Sequence, residues 1–359
     1  MARPSASHVT VRAIAAEAGV SIATVSRVLN GHAQVAAETK ALVRQAVERL
    51  GAPAPLRRGP RDGAVYVRCP YVLTDYFGVI VSSIADTLDL HGRRMVLGAG
   101  ESAQAAHVLP GLGQDPTIAG AVLILPPEPD EELRTLRATG FPFVVVDPRT
   151  TLPPEIASVS AANVTGARSV TAHLTGLGHR RIGVIGGPTE WLAGEARMLG
   201  HTSALAETGA LPDPRLRRSV EPTTEHGYRA ACELLDLPDR PTALIGFNDK
   251  VAVGILRAAH ERGLRVPEDL SVTGFDDSNL SHSTIPALTT VRQPLEEMGR
   301  LAVSLLTRLL EGHTVDALHI ELATQLVPRA STAAAPTAAA PTASAPTATA
   351  PTATSPGGR

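Results

Sequence analysis

Apolar residues recur along this chain with two different periods. Over the first fifty residues the spacing is helical. Val11, Ile14, Ala15 and Ala18 share one face, Thr10 stands at the N-cap position, and Gly19 stops the run. Ser21 can cap a second helix, Ile22 to Leu29, so two short helices meet across Gly19-Val20-Ser21. Ala15, Gly19 and Val25 fall where such a pair needs a small contact residue, a positive-φ turn residue and a buried anchor. A third helix, about Ala36 to Leu50, brings Leu42, Val43, Ala46, Val47 and Leu50 together to cover the pair. The pattern predicts a small all-α helix-turn-helix headpiece over residues 1–51.

From Ala64 onward, short apolar runs alternate with helical stretches. The expected strands are Val65-Val67, Met95-Leu97, Ala121-Leu125, Phe143-Val146, Ile182-Ile185, Ala243-Phe247, Ser271-Phe275 and Thr289-Val291. Helices are expected at Gly78 to Leu90, Glu131 to Thr139, Val164 to Leu177, Gly227 to Leu235 and Lys250 to Arg262. This alternation predicts an α/β core over 63–328, with parallel sheet, helices on both faces, and ligands outside the carboxyl ends of the strands. Residues 52–62 hold Pro53, Pro55 and Pro60 and are expected to form a hinge or linker. Residues 329–359 bring Pro336, Pro341, Pro346 and Pro351 at a five-residue period with no large apolar side chain from Ser331 on. A disordered Ala/Pro/Thr-rich tail is expected there.

Charge sharpens this division. The 359 residues carry a net −2, but Met1 to Arg61 hold nine Lys/Arg against three Asp/Glu, which leaves −8 for the rest. A basic head on an acidic body suggests a polyanion partner for the head alone. Cys69 and Cys232 are too few for a disulfide framework or a four-ligand zinc site, and each is expected as a small buried hydrophobe. No run of about 18 apolar residues offers a membrane span, and Met1 to Thr10 lacks the apolar region of a signal peptide. The expected location is the cytoplasm, at the nucleoid. No cofactor or metal is expected.

In a helix-turn-helix the second helix enters the major groove N-terminal end first. Ile22 and Ala23 then face base edges and can meet thymine methyls. Arg27, on the same exposed face, can make a bidentate contact to guanine. Thr10, Ser21, Thr24, Ser26 and Asn30 are placed to bond phosphates, which sets register but reads no sequence. A plain three-helix bundle with polar caps is the bland alternative.

The stretch Ala18-Gly19-Val20-Ser21-Ile22-Ala23-Thr24-Val25-Ser26-Arg27-Val28-Leu29-Asn30-Gly31 resembles the headpiece of the LacI/GalR family of bacterial transcriptional regulators. Ala36 departs from the serine usual at the start of the family's third helix. The family continues into a short hinge helix whose leucine wedges into the minor groove. Here Leu56 followed by Arg57 resembles that wedge and its phosphate contact, but Pro53 and Pro55 leave little room for a helix.

The resemblance extends over Tyr71 to Val327, through Leu177-Gly178-His179-Arg180-Arg181-Ile182, Phe247-Asn248-Asp249, Arg265-Val266-Pro267-Glu268-Asp269-Leu270 and Gly274-Phe275-Asp276-Asp277. It implies a periplasmic-binding-protein-like core of two doubly wound subdomains with crossovers near 160, 290 and 325. It also implies a small effector, expected to be a sugar, in the cleft, and a homodimer on double-stranded operator DNA. Carried over residue by residue, the ligand contacts fall on Asp75 to Phe77 in the first loop, Asp147 or Arg149 after the fourth strand, then Arg197, Asn248 and Asp276. Trp191, the only tryptophan, follows Gly186-Gly187-Pro188, where it can stack on a sugar face or serve ordinary packing between subdomains. Asn248 and Asp276 have competing roles as helix cap and turn residue. Two departures, Ala162 beside Asn163 and Pro222 where a planar group is common, leave open a regulator with a degenerate pocket.

Two other classes fit less well. A solute-binding protein predicts an export signal and no helix-turn-helix. An enzyme on a Rossmann-like sheet would need a motif such as G-x-G-x-x-G, and Gly183-Val184-Ile185-Gly186-Gly187 lacks that spacing. The protein is therefore expected to be a ligand-responsive repressor rather than an enzyme.

Overall fold

The computed structural model describes residues 11–29, 35–50, 63–100, 103–104, 107–210, 212–313 and 318–336. Helices α1 (Val11–Ala18), α2 (Ile22–Leu29) and α3 (Ala37–Arg49) enclose Ile14, Ala15, Val25, Val43, Ala46 and Val47. Gly19 has φ +66°, and Val20 N–H bonds back to the Ala15 carbonyl at 3.1 Å. That left-handed step turns the chain sharply between the two helices. Ser21 Oγ accepts the Thr24 amide at 3.0 Å and caps α2. Leu42 is 49% exposed and does not join the core. One residue turns a helix by about 100°, so Val43, Ala46 and Val47 face inward and their neighbour does not.

The α/β part folds as two lobes. The first holds β1 (Ala64–Cys69), β2 (Met95–Ala99), β3 (Ile118–Ile124), β4 (Phe143–Val146), β5 (Ala157–Ala161) and the late strand β11 (His319–Leu322). They form one parallel sheet in the order β11-β5-β4-β3-β1-β2. Helices α4 (Asp75–Leu90) and α12 (Leu295–Leu310) cover one face through Ile80, Ile84, Leu88, Met298, Ala302 and Leu306. The short α5 (Leu109–Leu112) and α6 (Asp130–Ala138) cover the other.

The second lobe holds β6 (Ile182–Gly186), β7 (Arg217–Ser219), β8 (Ala243–Gly246) and β9 (Ser271–Thr273), parallel in the order β7-β6-β8-β9. Helices α7 (Asn163–Gly176) and α8 (Leu192–Glu207) lie on one face, and α9 (Thr224–Leu235) and α10 (Asp249–Glu261) on the other. The short α11 (Asn279–Ser283) follows β9. The chain passes between lobes after β5, after β10 (Thr290–Arg292) and after β11, where β12 (Gln325–Val327) pairs antiparallel with β10. Both sheets therefore aim their carboxyl ends at the gap between the lobes.

All eight expected strands and five expected helices of this region are present, with ends shifted by a few residues. β5, β7, β11, β12, α5, α8, α11 and α12 lie outside the expected elements. β7 reads Arg-Arg-Ser at a sheet edge, where polar residues suffice. α8 carries two glycines that weaken a helical pattern. A Cβ at Gly200 would run into the Val164 carbonyl, so close packing of α8 on α7 requires glycine there.

Two expectations are corrected. The tail does not begin at 329: Arg329 pairs with Asp277, and residues 331–335 pack across the amino ends of the second-lobe strands. Ser331 is fully buried, and its Oγ donates to the Val272 carbonyl at 2.6 Å and accepts the Thr289 amide at 2.8 Å. The Ser331 hydroxyl and backbone pairing, such as the Val272 amide on the Ser331 carbonyl at 2.9 Å, replace the large apolar side chains this segment lacks. Residues 337–359 lie outside the described residues. Cys69 is fully buried, but Cys232 is only half-buried and its Sγ accepts from Arg262 Nη1 at 3.2 Å. No helix among the described residues is long and apolar enough to cross a membrane.

Candidate ligand cavity and nucleic-acid interface

A cavity of about 400 Å³ opens between the lobes at the carboxyl ends of the strands. The strand ends here turn in an uncommon way. Leu125 (φ +44°) after β3, Asp147 (φ +52°) after β4, and Asp276 and Asp277 (φ +113° and +57°) after β9 are the non-glycine residues with positive φ among the described residues. Such conformations cost roughly 1–3 kcal/mol each and persist only where the surroundings over-determine them.

Arg197 of α8 sits at the centre and is 6% exposed. Its Nε donates to Asn163 Oδ1 at 2.8 Å, and Nη1 to the Phe247 carbonyl at 2.7 Å. The guanidinium lies 3.7 Å from the centre of the Phe275 ring and 4.5 Å from that of Phe247. Burial pushes its pKa down, while Asp276 and Asp147 hold it up. Arginine is the cation that keeps its charge in such a place.

The acids face it. Asp147 is buried and accepts the Tyr76 hydroxyl at 2.8 Å; burial raises its pKa against that bond and the Arg197 charge. Burial likewise pushes Asp276 up to about 7, opposed by Arg197 and reinforced by Asp249. Asp249 lies behind the cavity, where Thr290 Oγ1 donates to it at 2.6 Å and the Ser278 amide at 2.8 Å; burial pushes it up to about 6.

The walls are aromatic. The chain has one Trp, four Tyr and five Phe, and half of them, Tyr71, Tyr76, Phe77, Trp191 and Phe247, line this cavity. Tyr71 and Phe77 stack at 4.7 Å, and Phe247 meets Trp191 edge-on at 6.5 Å. Trp191 Nε1 is buried with no hydrogen-bond partner among the described residues. The rim joins the lobes: Lys250 Nζ donates to Thr74 Oγ1 at 3.1 Å, and the Leu192 amide to the Arg149 carbonyl at 2.8 Å. The Arg149 guanidinium lies 5.2 Å from the centre of the Trp191 ring. Flat apolar faces beside carboxylates and guanidinium groups suit a ring bearing several hydroxyls.

The structure brings Phe77, Asp147, Arg149, Trp191, Arg197, Asn248 and Asp276 to this one cavity. Asn248 spends its Oδ1 on capping α10, accepting the Val251 amide at 3.0 Å, and still lines the cavity. Pro222 lines it too. Asp75 is corrected. The expected first loop is already helix, and Asp75, its first residue, lines a separate surface groove with Leu73, Ser82 and Arg300. Tyr76 and Phe77 take the inward directions of that turn, and a carboxylate at the helix start meets the positive end of its dipole. Tyr71, Leu125, Glu221 and Lys250 were missed. Composition held a signal for one of them: Lys250 is one of two lysines among 33 basic residues.

In the headpiece, Ser21 and Ile22 are exposed at the start of α2, Ile22 by 49%, and Thr24 is half-buried. The side chains of Ala23, Ser26 and Arg27, and all of Thr10, Asn30, Leu56 and Arg57, lie outside the described residues.

The family described as "Bacterial regulatory proteins, lacI family" matches residues 10–51, and the "Periplasmic binding protein-like domain" matches residues 171–332. Over 343 residues the chain is 33% identical to the HTH-type transcriptional repressor CytR of Escherichia coli (strain K12), spanning 91% of this chain and 97% of that one. It is similar to the solved structure of a transcriptional regulator CelR-cellobiose complex, with 31% identity, a TM-score of 0.68, and coverage of 92% of this chain and 100% of the other. The structure of the lac repressor dimer bound to operator and the anti-inducer ONPF shows 28% identity, a TM-score of 0.67, and coverage of 91% and 100%.

Proposed function

The chain belongs to the LacI family of DNA-binding bacterial transcriptional regulators, and from this we propose that it is a repressor whose hold on a palindromic operator is set by a small effector in the interlobe cavity. The observation that carries this reading is the cavity itself. It lies between two lobes joined by three crossovers, so a ligand touching both sides favours one relative placement of the lobes. Only a ligand with different affinity for two states can shift them.

A sugar is the proposed effector class. The polar groups beside aromatic faces support it, as does the similar CelR structure with cellobiose. The seven expected residues around the cavity favour a responsive regulator over a degenerate pocket. A homodimer would present two α2 helices to two half-sites. Ser21, Ile22, Ala23, Thr24, Ser26 and Arg27 would contact DNA from α2, with Thr10 and Asn30 on phosphates. Leu56 would wedge into the minor groove with Arg57 on the backbone. Such a protein acts in the cytoplasm, where the chromosome lies. Residues 1–51 would bind DNA, 52–62 link, and 63–336 sense the effector and dimerise.

Gel shift on the DNA upstream of the chain's own gene is expected to give a complex that survives scrambled competitor. Loss of that preference overturns the reading. Leu56→Ala is expected to weaken specific binding more than non-specific binding, and an equal loss on both DNAs removes the wedge. A thermal-shift screen of sugars is expected to find one that raises the unfolding midpoint. A screen in which no sugar does so favours the unresponsive regulator.

A further inference from the structure

Gln293 stands outside the cavity lining and yet holds a group on its floor. It follows β10 in the crossover to α12, is 4% exposed, and donates from Nε2 to Asp276 Oδ1 at 2.7 Å. Its other end, Oε1, is buried with no hydrogen-bond partner among the described residues. Burying an amide half-satisfied is unfavourable, so packing alone does not favour glutamine at this place. The same stretch is tied to the strand end twice more. Arg292 Nε donates to Asp277 Oδ2 at 2.6 Å, and the Asp276 amide donates to the Val291 carbonyl at 2.8 Å. Cavity floor and crossover are thus one hydrogen-bonded unit, built on two residues with positive φ.

We propose that Gln293 is a positioning residue that aims the Asp276 carboxyl into the cavity and passes its state to the crossover between the lobes. This deepens the proposed function, since it takes the cavity as the effector site. A carboxamide suits the task because its ends differ. An ionised Asp276 only accepts, and takes the Nε2 hydrogen. A protonated Asp276 can donate, and then Oε1 gains the partner it lacks once the amide turns over. The turn is a rotation about the last side-chain bond, and it reaches the crossover through the closed packing around Gln293. Four other groups face Asp276: Arg197 from α8, Asp249 from α10, Asp147 behind β4 and Tyr76 from α4. Arg197 favours the ionised form, and the two carboxylates and burial favour the proton. Their balance brings Asp276 up to about 7, within reach of a modest change in its surroundings.

Trp191, the sole tryptophan, lines the same cavity, so its fluorescence reports the floor without any ligand. The full-length protein is titrated across neutral pH, and a fluorescence transition with a midpoint near 7 is expected. Asp276→Asn is expected to abolish it. Gln293→Leu removes its bond to either form, but the bond to the ionised carboxylate is charge-assisted and the stronger, so the midpoint is expected to move up by about one pH unit. If that variant does not fold by circular dichroism, the isosteric Gln293→Glu is expected to move the midpoint the same way. Hydrogen exchange of the amides of 290–293 and Leu295, corrected for intrinsic rates, is expected to change through the same midpoint in the wild type. In the Gln293 variant it is expected to stop following.

Absence of the wild-type transition, its survival in Asp276→Asn, or an unmoved midpoint in the Gln293 variant overturns the proposal. So does exchange that follows pH alike in both proteins. Operator binding on the same samples is read separately: its loss with the titration intact tells against the repressor and leaves Gln293 in its role.

Discussion

The two ends of the second-lobe sheet bury polar groups in opposite ways. At the amino end, His179 is fully buried and fully engaged: Nδ1 pairs with Thr242 Oγ1 at 2.9 Å, and Nε2 with Ser271 Oγ and the Ala333 carbonyl, each at 3.0 Å. Residues 331–335 close over it, with the Ala333 amide on Ser271 Oγ at 3.1 Å and the Ala335 amide on the Leu177 carbonyl at 2.9 Å. These partners are neutral. At the carboxyl end, Asp276 and Asp249 surround one arginine, backbone angles are strained, and Trp191 Nε1 and Gln293 Oε1 lack partners. The first arrangement stabilises the lobe. The second gives up stability, and the proposed effector would meet the groups it leaves unsatisfied.

Breaking the cavity end should cost most. Arg197→Met leaves Asp147 and Asp276 without their cation and strands Asn163 Oδ1 and the Phe247 carbonyl. A loss of about 3–5 kcal/mol is expected in urea unfolding, with loss of effector response. A loss below about 1 kcal/mol would show that the acids are already protonated in the fold.

At the other end, two truncations divide the strap from the tail. Ending the chain after Ala330 keeps the Arg329–Asp277 pair, removes the bonds of Ser331, Ala333 and Ala335, and should cost roughly 3 kcal/mol. Ending it after Pro336 should change stability by less than about 0.5 kcal/mol. Equal effects would erase the boundary at 336.

The two ends should also answer pH with opposite signs. Asp276 has its pKa raised from 3.8 to about 7 in the fold. As pH rises between those values the unfolded chain releases a proton that the fold keeps, so this group's stabilisation is lost toward pH 7. Burial lowers the His179 pKa from 6.5. As pH falls below 6.5 the unfolded chain takes a proton that the fold does not, so stability is lost toward acid. Melting temperature against pH should flatten on the rising side in Asp276→Asn and on the acid side in His179→Gln. The reverse assignment would refute the contrast.

The smallest effect is expected on the surface between α7 and α8. Arg168 and Glu207 pair at 2.6 Å, but each is about half exposed. Arg168→Ala should change stability by no more than about 0.5 kcal/mol in the same unfolding assay.

Much of this architecture is written in local patterns. The turn at Gly19, the anchor Val25 and the alternation from Ala64 onward are visible because helix and strand periods depend on neighbours along the chain. Seven of the eight expected ligand residues meet in one cavity for a related reason: parallel sheets collect their strand ends at one edge. What remained hidden depends on contacts between distant segments. Asp75 and Phe77 are two residues apart, and only the start of α4 decides that one faces a groove and the other the cavity. Ser331 looks like the beginning of a featureless tail until it is seen between Val272 and Thr289, some 60 and 40 residues back. Gln293 shows no signal in the chain at all, because its significance is a single bond to Asp276 across a crossover. Periodicity and turn chemistry are short-range and survive in a one-dimensional string, whereas burial, charge compensation and hydrogen-bond partnership exist only once the lobes have closed on each other.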